Sequence, residues 1–427
     1  MRLSATRALA STVLALVALG CPHPGAPPTP SGGGEPELRV ALAVGVQSVV
    51  LGGDESGELF VTDDGNGQAV GSIPAGARWI AIPDSATRGG KLRLVRPDGT
   101  TTEPHTGVAL VNVTENRFAM ANARRYRGRI HVVAGRGGAG GGLMLVNRLG
   151  IESYIAGVVG PEIGGRRPDE LAAVLAQAVV SRTFALGNRG RYESLGFDAY
   201  ADTRDQVYNG VAAETPQVWD AVRRTAGQVL RYRGEIIDAF FHSTCGFSTA
   251  GVEEAFSTAR TRPYLRSVSD EYAKGRYYCD ISPRFRWREE WDAQKLRAIF
   301  TRTLPAVMPI GGDGLQPITD VEVTQKTRSG RVAELRIVFE HGDVRIAGGT
   351  VRSVLRPEVD RTLSSTAFQL TVTKDGGRLT RLVAAGAGSG HAVGMCQWGA
   401  VGRARAGQDY RRILSTYFPG TTLDRIY

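Results

Sequence analysis

Residues Glu170–Asn188 read ELAAVLAQAVVSRTFALGN. Pro168 and Asp169 stand just ahead of them as helix-start signals, and the apolar residues recur at helical spacing. At about 100° per residue, Leu171, Val174, Leu175 and Ala178 share one stripe, with Arg182 in the middle of it. A charge on an apolar face is costly unless paired. Arg182 therefore either snorkels near the helix end or is held to face a carboxylate or a substrate oxygen. One long helix among strand-like segments predicts an α+β chain.

Upstream, residues 37–145 contain short alternating or apolar runs, including ELRVALAV, GELFVT, RWIAI, KLRLVR and RGRIHVV, broken by Gly, Asp and Pro. They hold no acid pair, nucleophile or metal cluster. They read as a β-rich accessory region ahead of a second domain over 146–427.

The first 20 residues read as a signal peptide. Arg2 and Arg7 head the apolar core Ala8–Leu19, which is too short to span a bilayer. Ala18-Leu19-Gly20-Cys21 resembles a bacterial lipobox, with Ala18 where leucine is usual, so Cys21 is the expected lipidation site. The other reading is an ordinary secretory signal. Residues 21–36, rich in Pro and Gly, read as a flexible linker from the membrane.

Downstream, TPQVWDAVRRTAG predicts a helix opening at Thr215-Pro216 and stopping at Gly227. VLRYRGEIIDAFFHS predicts a hairpin whose second strand ends at His242. Residues 281–380 mix strands (DVEVTQK, VAELRIVFE, FQLTVT) with short helices such as DAQKLRAIFTRTL.

The chain has 427 residues, 42% of them apolar, and a net charge of +10. That composition fits a soluble protein with a real core and allows attraction to an acidic polymer. With no basic run or nucleic-acid motif, nucleic acid is the partner least supported.

Three constellations could carry chemistry. Glu162 follows the apolar, strand-like run Tyr154–Val159 and Gly160-Pro161, which predicts a loop glutamate at the end of a buried element. Apolar neighbours would raise its pKa, as a general acid requires. The loop Tyr200–Gly210, YADTRDQVYNG, offers Asp202, Asp205, Gln206 and Tyr208 for hydrogen bonds to a polyol or for loop structure alone. The third set is FFHSTCG, YYCDISP and GHAVGMCQW. His242, Cys245, Cys279 and Cys396 could form a Cys3His zinc site, and a Cys245–Cys279 disulfide is the alternative. Cys396 or Cys245 as a nucleophile, with His391 or His242 as base, is a further reading. GSGHAVGMCQWGA, Gly388–Ala400, lacks the lysine and strand–helix context of a phosphate loop.

In order, the stretches VNRLGIESYIAGVVGPEI, LAQAVVSRTFAL, DTRDQVYNG, AVRRTAGQVLRYRGEIIDAFFHSTCG, RPYLRSVSD and GSGHAVGMCQWGAVGRARAG resemble the SpoIID/LytB family of sporulation stage II D and amidase-enhancer proteins. The resemblance implies a SpoIID-like catalytic domain that acts on peptidoglycan. Its sporulation branch implies a lytic transglycosylase needing no cofactor, with Glu162 in the position of the catalytic glutamate. The amidase-enhancer branch implies a glycan-binding protein that stimulates a cell-wall amidase. Arg182 matches the arginine of the family's A-x-R-T-[YF]-A helix and is expected to orient Glu162 or touch the glycan.

His242 and Ser243 match the HSxxGG motif, with Phe247 for its second glycine. His391 and Gln397 match GHGVGMSQ, with Ala392 for glycine. These four, with Gln206 and Tyr208, are the expected substrate contacts, and Trp398 either stacks on sugar or packs in the core. Metal on cysteine and histidine ligands in the family leaves a structural zinc open beside the disulfide. The expected location is the periplasm or cell wall, with a lipid anchor in the membrane.

Overall fold

The computed structural model describes residues 34–53, 59–86, 90–112, 118–135, 142–256, 259–307 and 317–427. The expected signal peptide, Cys21 and residues 21–33 of the expected linker lie outside these. The chain is α+β. Strands dominate from Glu37 to Gly150, helices follow, and a strand-rich segment comes before the last helices.

Seven strands form the first sheet, in the order Ala199–Tyr200, Glu37–Val46, Leu143–Gly150, Arg129–Ala134, Gly107–Asn112, Leu59–Asp63 and Ala69–Ile73. Glu37–Val46 pairs antiparallel with Leu143–Gly150, and its other edge takes Ala199–Tyr200 in parallel. The β-rich region is thus stitched to the loop downstream of the long helix. A five-stranded sheet completes this half. Its buried residues, such as Leu51 and Val132, belong to one hydrophobic core with Ile155, Val180 and Val401 from the helical part.

Leu143–Gly150 runs straight into helix α1, Ile151–Ile163. Gly150 has no side chain with which to cap that helix. The Glu35 carboxylate does so instead, accepting the Glu152 N–H at 2.6 Å. The strand-like reading of Tyr154–Val159 is therefore corrected: these residues are helical, and Glu162 sits in the last turn of α1 and not on a loop. A short apolar run buried on all sides does not distinguish strand from helix by periodicity.

Helix α2, Leu171–Gly187, follows a 3-10 turn over Pro168–Glu170. Every residue from Ala173 to Ala185 is buried, Arg182 included. Its guanidinium pairs with Glu152 of α1, Nε at 2.9 Å and Nη2 at 2.5 Å. Glu152 also accepts from the Gly227 N–H at 3.0 Å and the Tyr427 hydroxyl at 2.6 Å. Arg182 does face a carboxylate, but one in the core. It is fully shielded from solvent and bonds neither Glu162 nor a surface open to glycan.

Helix α3, Pro216–Arg224, is capped by the Thr215 hydroxyl, which accepts from Val218 N–H at 3.2 Å. The expected hairpin pairs Gln228–Tyr232 with Glu235–Ile236 and closes there. Phe241–His242 is a separate short strand, parallel to Met395–Cys396. Residues 286–387 build two three-stranded sheets and a core of their own around Trp291, Phe300, Leu335 and Leu382.

Candidate active site and buried cysteine cluster

The last turn of α1 is shaped by residues that leave room. Pro161 lacks the N–H that would close a helical bond onto Gly157. The freed Gly157 carbonyl accepts instead from Asn209 N–H at 3.1 Å. A Cβ on Gly157 would lie 2.3 Å from the Tyr208 ring, and one on Gly160 would lie 2.2 Å from the Ala213 carbonyl. The two glycines and the proline thus dock the 200–213 segment onto α1 and bring the Val207 N–H within 3.2 Å of Glu162 Oε1.

On its other oxygen Glu162 faces Gln397 Nε2 at 3.5 Å, and Gln397 also donates to Gln177 Oε1 of α2 at 3.3 Å. Gln397 opens the helix Gln397–Arg405, so three separate segments converge on one carboxyl. Glu162 is half-buried and lines a cleft of about 820 Å³ with Phe240, Phe241, Phe256 and His391. Burial raises its pKa above the usual carboxylate value. The hydrogen bonds from Val207 and Gln397 oppose that shift only in part. The cleft's other carboxylates, Asp205 and Asp238, have arginine partners: Arg191 and Arg262, each at 3.6 Å. Among the described residues Glu162 alone of the three has no arginine partner, so burial acts on it without a paired cation.

His391 is the one expected substrate-contact residue that lines this cleft. Its Nδ1 accepts from the Val393 N–H at 3.0 Å, so a ring proton belongs on Nε2. Burial pushes its pKa down to about 3, and the neighbouring His242 adds to the effect. The ring is therefore neutral, and its remaining N–H already meets the Phe241 backbone, so it brings no charge to the cleft.

The other expected contacts are corrected. Tyr208 is buried, donates to Asn147 Oδ1 at 2.7 Å and stacks on Tyr154 at 5.3 Å between centroids. Gln206 is buried and accepts from the Tyr154 hydroxyl at 3.1 Å. His242 is buried with Nδ1 against the Val393 carbonyl at 3.1 Å. The Ser243 hydroxyl meets Thr244 Oγ1 at 3.3 Å, and its carbonyl accepts from Trp398 N–H at 3.0 Å. Gln397 reaches the cleft only through Glu162. Packing turns Gln206, Tyr208, His242 and Gln397 inward, and Ser243 is half-buried. Trp398 is half-buried, with the Arg166 guanidinium 4.6 Å over its ring.

Behind this wall lie Cys245, Cys279 and Cys396, all buried as free thiols. Burial removes them from any substrate, which overturns the nucleophile reading. Cys245 Sγ and Cys279 Sγ stand 3.5 Å apart without a bond between them. The fourth neighbour is Asp270, not His242: one ligand atom from each of Cys245, Asp270, Cys279 and Cys396 lies within 4.8 Å of every other. Asp270 ends the quoted stretch RPYLRSVSD, and no spacing in the sequence tied it to the cysteines.

A family model described as Stage II sporulation protein matches residues 139–232, the span that holds α1, α2, α3 and the docked loop. The Bacillus subtilis protein named Stage II sporulation protein D is 27% identical over 293 residues, covering 65% of this chain and 75% of its own. The Bacillus subtilis protein named Amidase enhancer is 28% identical over 280 residues, 59% of this chain but only 38% of its own. The chain belongs to the SpoIID/LytB family. This SpoIID/LytB protein is also 31% identical over 285 residues to an uncharacterized protein of Brachyspira hyodysenteriae, covering 66% of this chain and 68% of that one. Its residues 274–394 match a domain of unknown function, DUF8618. The matched family span includes Glu162, Arg182 and Val207, whereas the cysteines, His391 and Gln397 fall outside it.

Proposed function

We propose that this SpoIID/LytB protein is a peptidoglycan lytic transglycosylase that cleaves the MurNAc–GlcNAc β-1,4 bond of glycan strands and leaves 1,6-anhydro-MurNAc ends. Family membership supports a cell-wall role at the coarser level. The observation that carries the finer reading is Glu162: a half-buried carboxyl with raised pKa, met only by neutral donors, at an aromatic-walled cleft.

Protonated Glu162 gives its proton to the glycosidic oxygen as the MurNAc C1–O bond breaks, and GlcNAc leaves with that proton on its hydroxyl. The carboxylate so formed takes the proton of the MurNAc C6 hydroxyl while O6 bonds to C1. Glu162 returns to its starting state, no water is consumed, and one carboxyl serves where hydrolases use two. Val207 N–H and Gln397 Nε2 support the carboxylate stage, when negative charge is present to accept their hydrogen bonds. Phe240, Phe241 and Phe256 offer apolar faces to sugar rings. No cofactor enters these steps.

Digestion of denuded glycan strands by the purified protein tests this, with mass spectrometry of the products. Wild type yields anhydro-muramyl ends and Glu162→Gln does not, while glycan binding persists in both. Binding without anhydro ends from wild type would overturn it. The similarity to the protein named Amidase enhancer favours a second reading, a glycan-binding protein that stimulates an N-acetylmuramoyl-L-alanine amidase. Under that reading Glu162→Gln stimulates the amidase as wild type does. The protein would act outside the inner membrane, facing the periplasm or wall, with lipid on Cys21 as its anchor. Radiolabelled palmitate incorporated by wild type and lost in Cys21→Ser tests that anchor.

A further inference from the structure

We propose that Cys245, Cys279, Cys396 and Asp270 bind one zinc ion in a closed tetrahedral site, with Asp270 and not His242 as the fourth ligand. The ligand set brings one thiolate from the segment after Phe241–His242, one from the turn Tyr278–Ile281, one from the start of the helix Gln397–Arg405, and a carboxylate from Asp270.

The donor chemistry fits. Three sulfurs and an oxygen suit zinc, whose bonds to sulfur of about 2.3 Å make a tetrahedral edge of roughly 3.8 Å. The Cys245–Cys279 separation of 3.5 Å is close to that edge. Cys279, Cys396 and Asp270 are fully shielded and Cys245 nearly so, which leaves no open position and marks the site as structural.

The surroundings are arranged for an anionic centre. Asp270 Oδ1 accepts from the Tyr417 hydroxyl at 2.7 Å and Arg403 Nη2 at 3.2 Å, whereas its buried Oδ2 has no partner. Gly399 has no Cβ to crowd that oxygen; one would lie 2.6 Å from it. The N–H groups of Cys245 and Gly399 each point to Cys396 Sγ at 3.2 Å, as outer-shell donors to a thiolate do. Arg331 is buried, gives Nη2 to the Cys245 and Ser248 carbonyls at 3.0 and 2.6 Å, and leaves Nε and Nη1 unpartnered. Three thiolates and a carboxylate on a divalent ion sum to a net charge of about −2, which two buried guanidiniums offset.

His242 stands apart because neither of its ring nitrogens is among the four converging ligand atoms. The ion would fix the start of the helix that carries Gln397, one residue after Cys396, and hence the back of the Glu162 cleft.

The test is metal content and ligand identity in the full chain purified without chelator. Elemental analysis is expected to give about one zinc per chain, and zinc X-ray absorption three sulfur ligands and one oxygen. Cobalt substitution should add the intense visible bands of a tetrahedral thiolate site. Asp270→Asn is expected to weaken zinc binding by about tenfold or more, and His242→Gln to leave it unchanged. If Asp270→Asn does not fold, the wild-type ligand count decides alone. A nitrogen ligand lost in His242→Gln would overturn the assignment. So would a metal-free chain, whether it holds a Cys245–Cys279 disulfide with one titratable thiol at Cys396 or three free thiols at these positions.

Discussion

Helix α1 carries a glutamate near each end, and the two have opposite fates. Glu152 is buried, with a guanidinium, a backbone N–H and a phenol filling its oxygens. Glu162 is half-buried, with one backbone N–H at 3.2 Å and one amide at 3.5 Å, and it opens onto the cleft. The same residue type on one helix becomes a fastener at one end and an acid at the other. What separates them is whether a cation comes with the burial. Burial beside a cation holds an ion pair, whereas burial without one favours the protonated form.

The sharpest way to break this contrast is to neutralise each end. Glu162→Gln is expected to lower glycan cleavage by about 10²–10⁴-fold with no loss of melting temperature. Product analysis beside a thermal melt checks both halves. Arg182→Met should do the reverse by stranding Glu152 without its cation. A loss of about 3–5 kcal/mol in urea unfolding is expected, with the remaining folded protein as active per mole as wild type.

Gly157→Ala tests the docking that serves only the Glu162 end. Its Cβ would strike the Tyr208 ring at 2.3 Å, so about 1–3 kcal/mol of stability should be lost. Cleavage should fall as well, because the loop carrying the Val207 N–H moves.

Acidity separates the groups more gently. Glu162 has its folded-state pKa raised above 4.5. Between 4.5 and that higher value the folded state holds the extra proton, so stability falls as pH rises, and Glu162→Gln should remove that slope. Cleavage should likewise decline on the alkaline side of the raised value. His242 behaves oppositely. Its folded-state pKa is lowered from 6.5 to about 3 by burial, so stability falls as pH drops from 6.5 toward 3. Its share of the slope is about 1.4 kcal/mol per pH unit and should be lost in His242→Gln, leaving the similar share of His391, as denaturant melts across that range would show.

The smallest effect should come from Gln397→Leu, which removes the more distant donor to Glu162. Its alkaline limb should move to higher pH by a few tenths of a unit while the fold is kept, because a 3.5 Å amide contact stabilises a carboxylate weakly.

Much of the chemistry was legible before folding. Glycine, proline and apolar neighbours around Glu162 announced an acid at the end of a buried element. Arg182 on an apolar face left two readings, a snorkelling cation or one held against a carboxylate or substrate oxygen, and Glu152 answers to the second. Cys245, Cys279 and Cys396 announced a cluster. These are local statements, and periodicity and neighbour polarity suffice to make them. The partners were a different matter. Glu152 rather than Glu162 met Arg182, Asp270 rather than His242 joined the cysteines, and Tyr208 and Gln206 turned inward when Gly157 and the Pro161-freed carbonyl captured their loop. A buried charge demands a counterpart by desolvation, but which counterpart answers depends on segments tens to hundreds of residues apart meeting in one core. The sequence determined which residues needed partners. Only the tertiary structure decided who they were, because pairing is a property of packing and not of spacing along the chain.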